Sequence, residues 1–146
     1  MISLTAKYAL RAMVFLASCD KPIVSAAAIA EATCVPHDYL LKVLKELDEA
    51  GVLQSRRGPG GGYSLINSPA EIQVLDVVTA VDTIPRITEC PLGISGHVKL
   101  CPLHRLLDNV SRSVEDTFRA TTIEDLVPTR KNKRSCDFPT KKRLDN

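Results

Sequence analysis

Two clusters in the 146-residue chain have residue types and spacing suited to chemistry. The first is Cys90, Cys101 and His104, confined to fifteen residues with His97 between them. Thiolate sulfur and imidazole nitrogen are donors that suit iron–sulfur clusters and zinc. Spacing alone leaves a cluster, a zinc ion and no metal at all open. The second cluster is "SRRGPGGGYSL", Ser55 to Leu65, which packs Arg56, Arg57 and four of the chain's seven glycines into eleven residues. Such a loop either cradles a nucleotide phosphate or presses a turn against a charged polymer. A phosphate-binding P-loop needs a Lys-Ser/Thr pair after its last glycine, opening into a helix. Here Gly62 leads into Tyr63, Ser64 and a strand-like run, so the nucleotide reading fails. What is left is a tight hairpin tip at Gly60 and Gly61 whose backbone can approach another backbone closely. Arg56 and Arg57 at its base would meet phosphates or a minor groove. An ordinary exposed hairpin with two solvated arginines is the plainer alternative.

The elements that must position these residues follow from periodicity. Residues 4–18 place Leu4, Tyr8, Leu10, Phe15 and Leu16 among alanines, with Lys7 and Arg11 on the other side, an amphipathic helix. Pro22 breaks it. Ser25 caps a short second helix with a small-residue face at Ala26, Ile29 and Ala30. "CVP" makes a tight connection to "HDYLLKVLKELDEAGVL", whose Leu40, Val43, Leu44 and Leu47 follow helical spacing and which Gly51 closes. Two helices joined by a short turn suggest a helix-turn-helix. The hairpin "VLQSRR-GPGG-GYSLI" directly after them makes the layout a winged helix. With the leucines inward, His37, Asp38, Tyr39, Lys42 and Lys45 are left on or near the outward side. A recognition helix uses its N-terminal residues on base edges, so His37, Tyr39 and Lys42 are the candidates for DNA contact, and Asp38 for a cap. A merely solvated face is the alternative for each of them.

Beyond the hairpin, Ser68, Pro69 and Glu71 read as the cap, first position and capping box of a helix with Ile72, Leu75, Val78 and Val81 in the core. A loop then leads to a last long helix in which Leu103, Leu107, Val110 and Val114 alternate steps of four and three, coiled-coil spacing over fewer than three heptads. That seam packs either on the chain's own core or on a second protomer, and we expect the second. "TTIEDLV" reads as a short final helix capped by Thr121 with Glu124. The expected architecture is mainly α with a small β-hairpin: a winged helix-turn-helix domain over residues 1–82, a Cys/His loop over 83–101, and a dimerisation helix with a short terminal helix over 102–128. Residues 129–146 form a basic tail, either a solubilising end or a DNA-gripping arm.

Composition narrows the function classes. At 45 % apolar the chain can bury a core, and no run approaches the roughly 18–20 apolar residues of a membrane span. Lys7 and Arg11 interrupt the N-terminal apolar stretch, which is read as a helix and not an export signal. The expected setting is therefore the cytoplasm, where the five cysteines serve as thiols or metal ligands. Cys19 and Cys34 read as packing thiols, and Cys136 lies in the tail. The net charge of +2 conceals an asymmetry: residues from Thr129 onward hold seven Lys/Arg against two Asp, which leaves about −3 for residues 1–128. A nucleic-acid site must therefore rest on where the positive charges lie, not on their total.

"LTAKYALRAMVFLA", "DYLLKVLKELDEAGVL", "SRRGPGGGYSL" and "ECPLG…CPLH" occur in this order and at intervals that resemble the Rrf-two family of bacterial transcription regulators, the group of IscR, NsrR and CymR. The resemblance spans about residues 2–127. It implies a homodimeric winged-helix repressor or activator that binds palindromic double-stranded promoter DNA, with no membrane partner and no enzymatic activity. Some members sense iron–sulfur status, nitric oxide or redox state through a cluster, and others bind none. In cluster-binding relatives this loop usually has three cysteines. Here it has Cys90 and Cys101, with Gly96, His97 or Val98 at the middle position, and Lys7 stands where nitric-oxide sensors place an aspartate ligand. A 2Fe-2S or 4Fe-4S cluster held by Cys90, Cys101, His104 and His97 is thus one expectation and no cofactor another. Two functions from other classes stay in view. One is a small Cys/His metal- or redox-dependent enzyme, against which stands the lack of any acid/base pair at useful spacing. The other is a winged-helix interaction module that does not bind DNA.

Overall fold

The computed structural model describes residues 2–89 and 100–128. Its helices and strands run in the order α1 (Leu4–Ser18), α2 (Ala26–Thr33), α3 (His37–Glu49), β1 (Leu53–Arg56), β2 (Gly62–Leu65), α4 (Val74–Val81), α5 (Pro102–Ala120) and α6 (Ile123–Leu126). Ser3 starts α1 by accepting a hydrogen bond from the Ala6 N–H at 3.1 Å. The buried face of α1 is only partly the one its large side chains mark: Leu16 is buried, but alanines fill the centre. Ala6, Ala9, Ala12 and Met13 are fully enclosed, whereas Leu4 is 57 % exposed and Tyr8, Leu10 and Phe15 lie at the margin. The reason is position: α1 runs through the middle and touches α2, α3, α4, α6 and β2. Alanines let these neighbours come close, which pushes the bulky residues to the rim.

Ser25 caps α2 through the Ala28 N–H at 3.2 Å. The turn into α3 uses Cys34 in the left-handed region, φ 54°, with Val35 buried behind it. Asp38 does not cap α3: Pro36 occupies that place, and the Asp38 carboxylate stands 3.6 Å from His37 Nδ1. Leu40, Val43, Leu44 and Leu47 are all fully buried, as their spacing predicts, and Gly51 ends the helix region at φ 74°.

The hairpin pairs Leu53 with Leu65, Gln54 with Ser64, Ser55 with Tyr63 and Arg56 with Gly62. Its second strand is also fastened to the body: the Val24 N–H donates to the Tyr63 carbonyl at 3.0 Å, and the Tyr63 N–H donates back at 2.8 Å. The backbones approach so closely here that a Cβ on Gly62 would lie 2.3 Å from the Val24 carbonyl oxygen. Gly61 is equally confined, 2.2 Å from the Arg56 carbonyl oxygen by the same measure. Gly58 and Gly60 differ, with φ of 91° and 73° and open space around them.

The Ser68–Glu71 box exists, but it closes a turn and not a helix. The Ser68 N–H donates to the Glu71 carboxylate at 3.2 Å, and α4 begins later, at Val74, under a Gln73–Asp76 capping box. Consequently Val74, Val77, Val78 and Ile72 fill the core, and Leu75 and Val81 lie only partly buried. At the other end the cap of α6 is Thr122 with Asp125, one residue beyond the Thr121–Glu124 pair that the sequence suggests. Ile123 is fully buried where α6 packs on α1, and its N–H donates to the Ile72 carbonyl at 2.9 Å. The chain thus returns to the helical body after α5.

Candidate nucleic-acid interface

The outward side of α3 is built by default: four buried apolar residues fix its rotation, and the remaining side chains face away. Lys42 and Lys45 are exposed, each with a carboxylate one turn toward the C-terminus, Glu46 at 3.9 Å and Glu49 at 3.5 Å. Such exposed pairs contribute little to stability and leave the ammonium groups available. His37 opens the helix with about half its side chain exposed. Tyr39 has a second allegiance. Its hydroxyl is hydrogen-bonded to Thr5 Oγ1, and its ring meets Tyr8 edge-on at 5.5 Å between centroids, so it braces the first turn of α3 against α1. Leu41, 39 % exposed, also sits on the outward side, and sequence reasoning passed over it because the neighbouring leucines are core.

Beside α3 stands the hairpin. Arg56 ends β1 and Arg57 follows it, both exposed, and neither forms an ion pair among the described residues. The nearest acid on α3, Asp48, is engaged: it accepts from the Ser55 N–H at 3.0 Å and from Ser55 Oγ at 2.7 Å. A groove of about 570 Å³ runs between the start of α2, the end of α3 and the hairpin, with Lys45, Arg56 and Arg57 along it. Gly60 stands at the hairpin tip, whereas Gly61 closes the turn by donating its N–H to the Gly58 carbonyl at 2.9 Å.

Of the candidate metal ligands, Cys90 and His97 lie outside the described residues. Cys101 immediately precedes α5 and His104 falls in its first turn, which brings Cys101 Sγ to 3.2 Å from His104 Nδ1. That distance is a hydrogen bond between a thiol and an imidazole, and the same two atoms are of the donor types and proximity that a zinc ion or an iron–sulfur cluster takes as two of its ligands. Lys7 is exposed on α1, and Cys19 and Cys34 are half-buried.

The sequence reading missed an ion-pair network at the root of this loop. Arg86 donates to both oxygens of Asp108, Nε at 2.7 Å and a terminal nitrogen at 3.0 Å, and reaches Glu115 at 3.2 Å. The Ile87 N–H also donates to Asp108 at 3.1 Å. The Arg86 guanidinium holds the Asp108 carboxyl down at about 2, and the hydrogen bond raises the arginine in turn. Glu115 is likewise lowered, chiefly by Arg119. Asp108 is the single buried residue of α5 among those described. The apolar side of that helix is open: Leu103 and Leu106 are each 60 % exposed, Leu107 45 % and Val110 48 %.

A helix-turn-helix followed at once by a basic two-stranded hairpin defines a winged-helix DNA-binding protein. The chain belongs to the Rrf2 family, described as iron-dependent transcriptional regulator, whose model matches residues 2–129. It is 35 % identical over 125 residues to the HTH-type transcriptional regulator IscR of Pectobacterium carotovorum, covering 83 % of this chain and 75 % of that one. It is 27 % identical over 124 residues to the HTH-type transcriptional regulator NsrR of Bacillus licheniformis, covering 82 % and 87 %. Among solved structures it is similar to CymR, the global cysteine regulator of B. subtilis, with a TM-score of 0.72, 27 % identity and coverage of 86 % and 95 %. The protein is a DNA-binding transcriptional regulator. Among the described residues no helix is long and apolar enough to cross a membrane.

Proposed function

We propose that the protein acts as a homodimer on two-half-site promoter DNA, with α3 in the major groove and the hairpin on flanking phosphates. In this reading residues 1–82 grip DNA, α5 pairs the protomers and residues 83–101 with His104 form a sensor. His37 and Lys42 meet bases or phosphates, Tyr39 sets the first turn of α3, and Arg56, Arg57 and the backbone at Gly60 and Gly61 meet the sugar–phosphate chain. One observation carries it: Lys42, Lys45, Arg56 and Arg57 all project from two adjacent elements, and although Glu46 and Glu49 stand beside the two lysines and Asp48 is held by Ser55, Arg56 and Arg57 have no acidic partner among the described residues. Unpaired positive charge is thereby concentrated on the hairpin in a body that is acidic overall, which is how a protein without a basic total attracts a polyanion. Dimerisation is supported by the uncovered side of α5, where Leu103, Leu107 and Val110 stand four and three residues apart as in a coiled-coil seam, with Leu106 exposed beside them and Val114, the next position, partly buried.

The experiment is a salt titration of DNA binding. Replacing Arg56 and Arg57 by Ala should weaken binding on every sequence. It should also reduce the slope of log affinity against log salt by roughly one per lost phosphate contact. An unchanged slope removes the hairpin from the interface.

The sensor reading rests on the Cys101–His104 pair. Cys101 and His104, with Cys90 and His97 from the same loop, would hold an iron–sulfur cluster in this reading. The cluster would supply a centre whose assembly, oxidation state or loss depends on the cell's iron and redox state. This chain's contribution is to place two of the donors at the start of α5, so that their spacing is tied to the position of that helix.

A further inference from the structure

Leu41 is out of place on the exposed side of a helix that already buries four apolar residues. Leu40, Val43, Leu44 and Leu47 are fully enclosed, yet Leu41 keeps 39 % of its surface in solvent. It stands one residue before Lys42 and one helical turn before Lys45, both exposed, and four residues after His37. Along an α-helix, residues three and four apart are neighbours on one face, so the exposed neighbours of Leu41 are His37, Asp38 and Lys45, all polar. A protein-binding patch needs contiguous apolar surface. None surrounds Leu41, because Asp38, Lys42 and Lys45 are its exposed neighbours on α3. A single apolar group set among polar side chains, with Lys45 one turn on, matches a different surface: the floor of the major groove, where thymine methyl groups are the one apolar feature and phosphates line both walls.

We propose that Leu41 is a specificity-determining residue that reads the C5-methyl group of a thymine in each half-site, flanked by Lys42 and Lys45 on the backbone. The inference rests on α3 being the groove-reading helix. Its second-turn position is the depth at which recognition helices meet base edges. The leucine rejects cytosine, adenine and guanine at that position, since each would place a polar edge against an apolar side chain without a hydrogen-bond partner.

The probe is DNA selected by the wild-type protein from a random duplex pool. Each thymine of a half-site is then replaced in turn by deoxyuridine, which removes the methyl group and preserves pairing. Wild-type protein should lose roughly three- to fivefold in affinity at one or two of these positions, the loss expected for uncovering one methyl-sized apolar contact. Leu41→Ala should bind the thymine duplex about as weakly as wild type binds the deoxyuridine one, and should no longer distinguish the two. Because Leu41 is partly exposed, the variant should keep the wild-type circular dichroism. Equal wild-type affinity for thymine and deoxyuridine at every position overturns the assignment, as does a Leu41→Ala protein that still discriminates. If the wild-type protein selects no duplex at all, the reading of α3 itself fails, a result distinct from either.

Discussion

The four glycines of the hairpin have different duties, and substituting them one at a time separates fastening from flexibility. A methyl group added at Gly62 would lie 2.3 Å from the Val24 carbonyl oxygen, 2.6 Å from its carbon and 2.9 Å from the Ser25 nitrogen. Non-bonded carbon contacts settle near 3.5 Å, so Gly62→Ala must open a gap of roughly 1 Å. All three clashing atoms are backbone, and no side chain can swing aside. The displacement falls on the two hydrogen bonds joining Val24 and Tyr63, now 3.0 and 2.8 Å. Each is worth about 0.5–1.5 kcal/mol net, giving a loss of about 1–3 kcal/mol. Amide exchange at Val24 and Tyr63 should therefore quicken by roughly five- to hundredfold, with a melting temperature lower by roughly 3–12 °C. Gly60→Ala is the control. With φ 73° and no atom within 4 Å, it costs only the strain of a left-handed alanine, about 1–2 kcal/mol at the tip, and leaves Val24 and Tyr63 protected. If both amides in Gly62→Ala stay as protected as in wild type, the fastening argument is wrong.

Three further outcomes are expected. Leu107→Asp places a charge on the open side of α5 without touching the protomer's own core, so sedimentation should show monomer where wild type is dimer, with loss of binding to two-half-site DNA; a variant that stays dimeric refutes the pairing. Asp108 has a folded-state pKa lowered to about 2, so its contribution is complete above the ordinary carboxylate range and is lost as pH falls from about 4 toward 2. Thermal melts of Asp108→Asn should lack that acid-side loss, and parallel curves for the two proteins would dissociate the Arg86 contact from stability. Protein purified without oxygen should absorb visible light and contain iron and sulfide, and Cys101→Ser should abolish both; a colourless wild-type protein whose operator affinity equals that of Cys101→Ser makes the loop structural.

What the sequence disclosed was local. Leu40, Val43, Leu44 and Leu47 repeat at helical spacing within one element, and Gly58 to Gly62 bend a hairpin within eleven residues, so both were legible before any fold was known. The Cys101–His104 contact belongs to the same class, because three residues span one turn. The misreadings are all tertiary. Ser68 and Glu71 form the hydrogen bond their spacing suggests, but the helix waits until Val74, where Gln73 and Asp76 close a second capping box. Of the large residues the sequence marked on α1 only Leu16 reaches the core, Leu4 is exposed and the others stay at its margin, because a central helix in contact with many neighbours values small side chains over apolar volume. Arg86 and Asp108 are 22 residues apart with no periodicity to link them, and Tyr39 meets Thr5 across 34. Leu41 was hidden by company: beside four core leucines and valines, its type says core and only its rotation says otherwise.

These tertiary contacts also decide how movement of α5 would reach α3. Just past the C-terminal end of α5 the chain is tied by backbone hydrogen bonds, from the Val74 N–H to the Thr121 carbonyl at 2.9 Å and, in α6, from the Glu124 N–H to the Pro69 carbonyl at 3.1 Å. In its middle Arg86 clasps Asp108. The first two turns have the least cover, with Leu103 and Leu106 each 60 % exposed, and they begin with Cys101 and His104. A helix held at its end and middle but loosely at its start can respond only as a lever about the clasp. In the proposed dimer two such levers meet along their apolar sides, and each is joined through α4 to α3. Recognition helices must stand one DNA turn apart, about 34 Å, so a small tilt at the Cys/His end changes their fit to both half-sites at once. The Arg86–Asp108 pair is therefore the fulcrum of that reading, and its strength determines how much of a change at Cys101 reaches the DNA-facing side of α3.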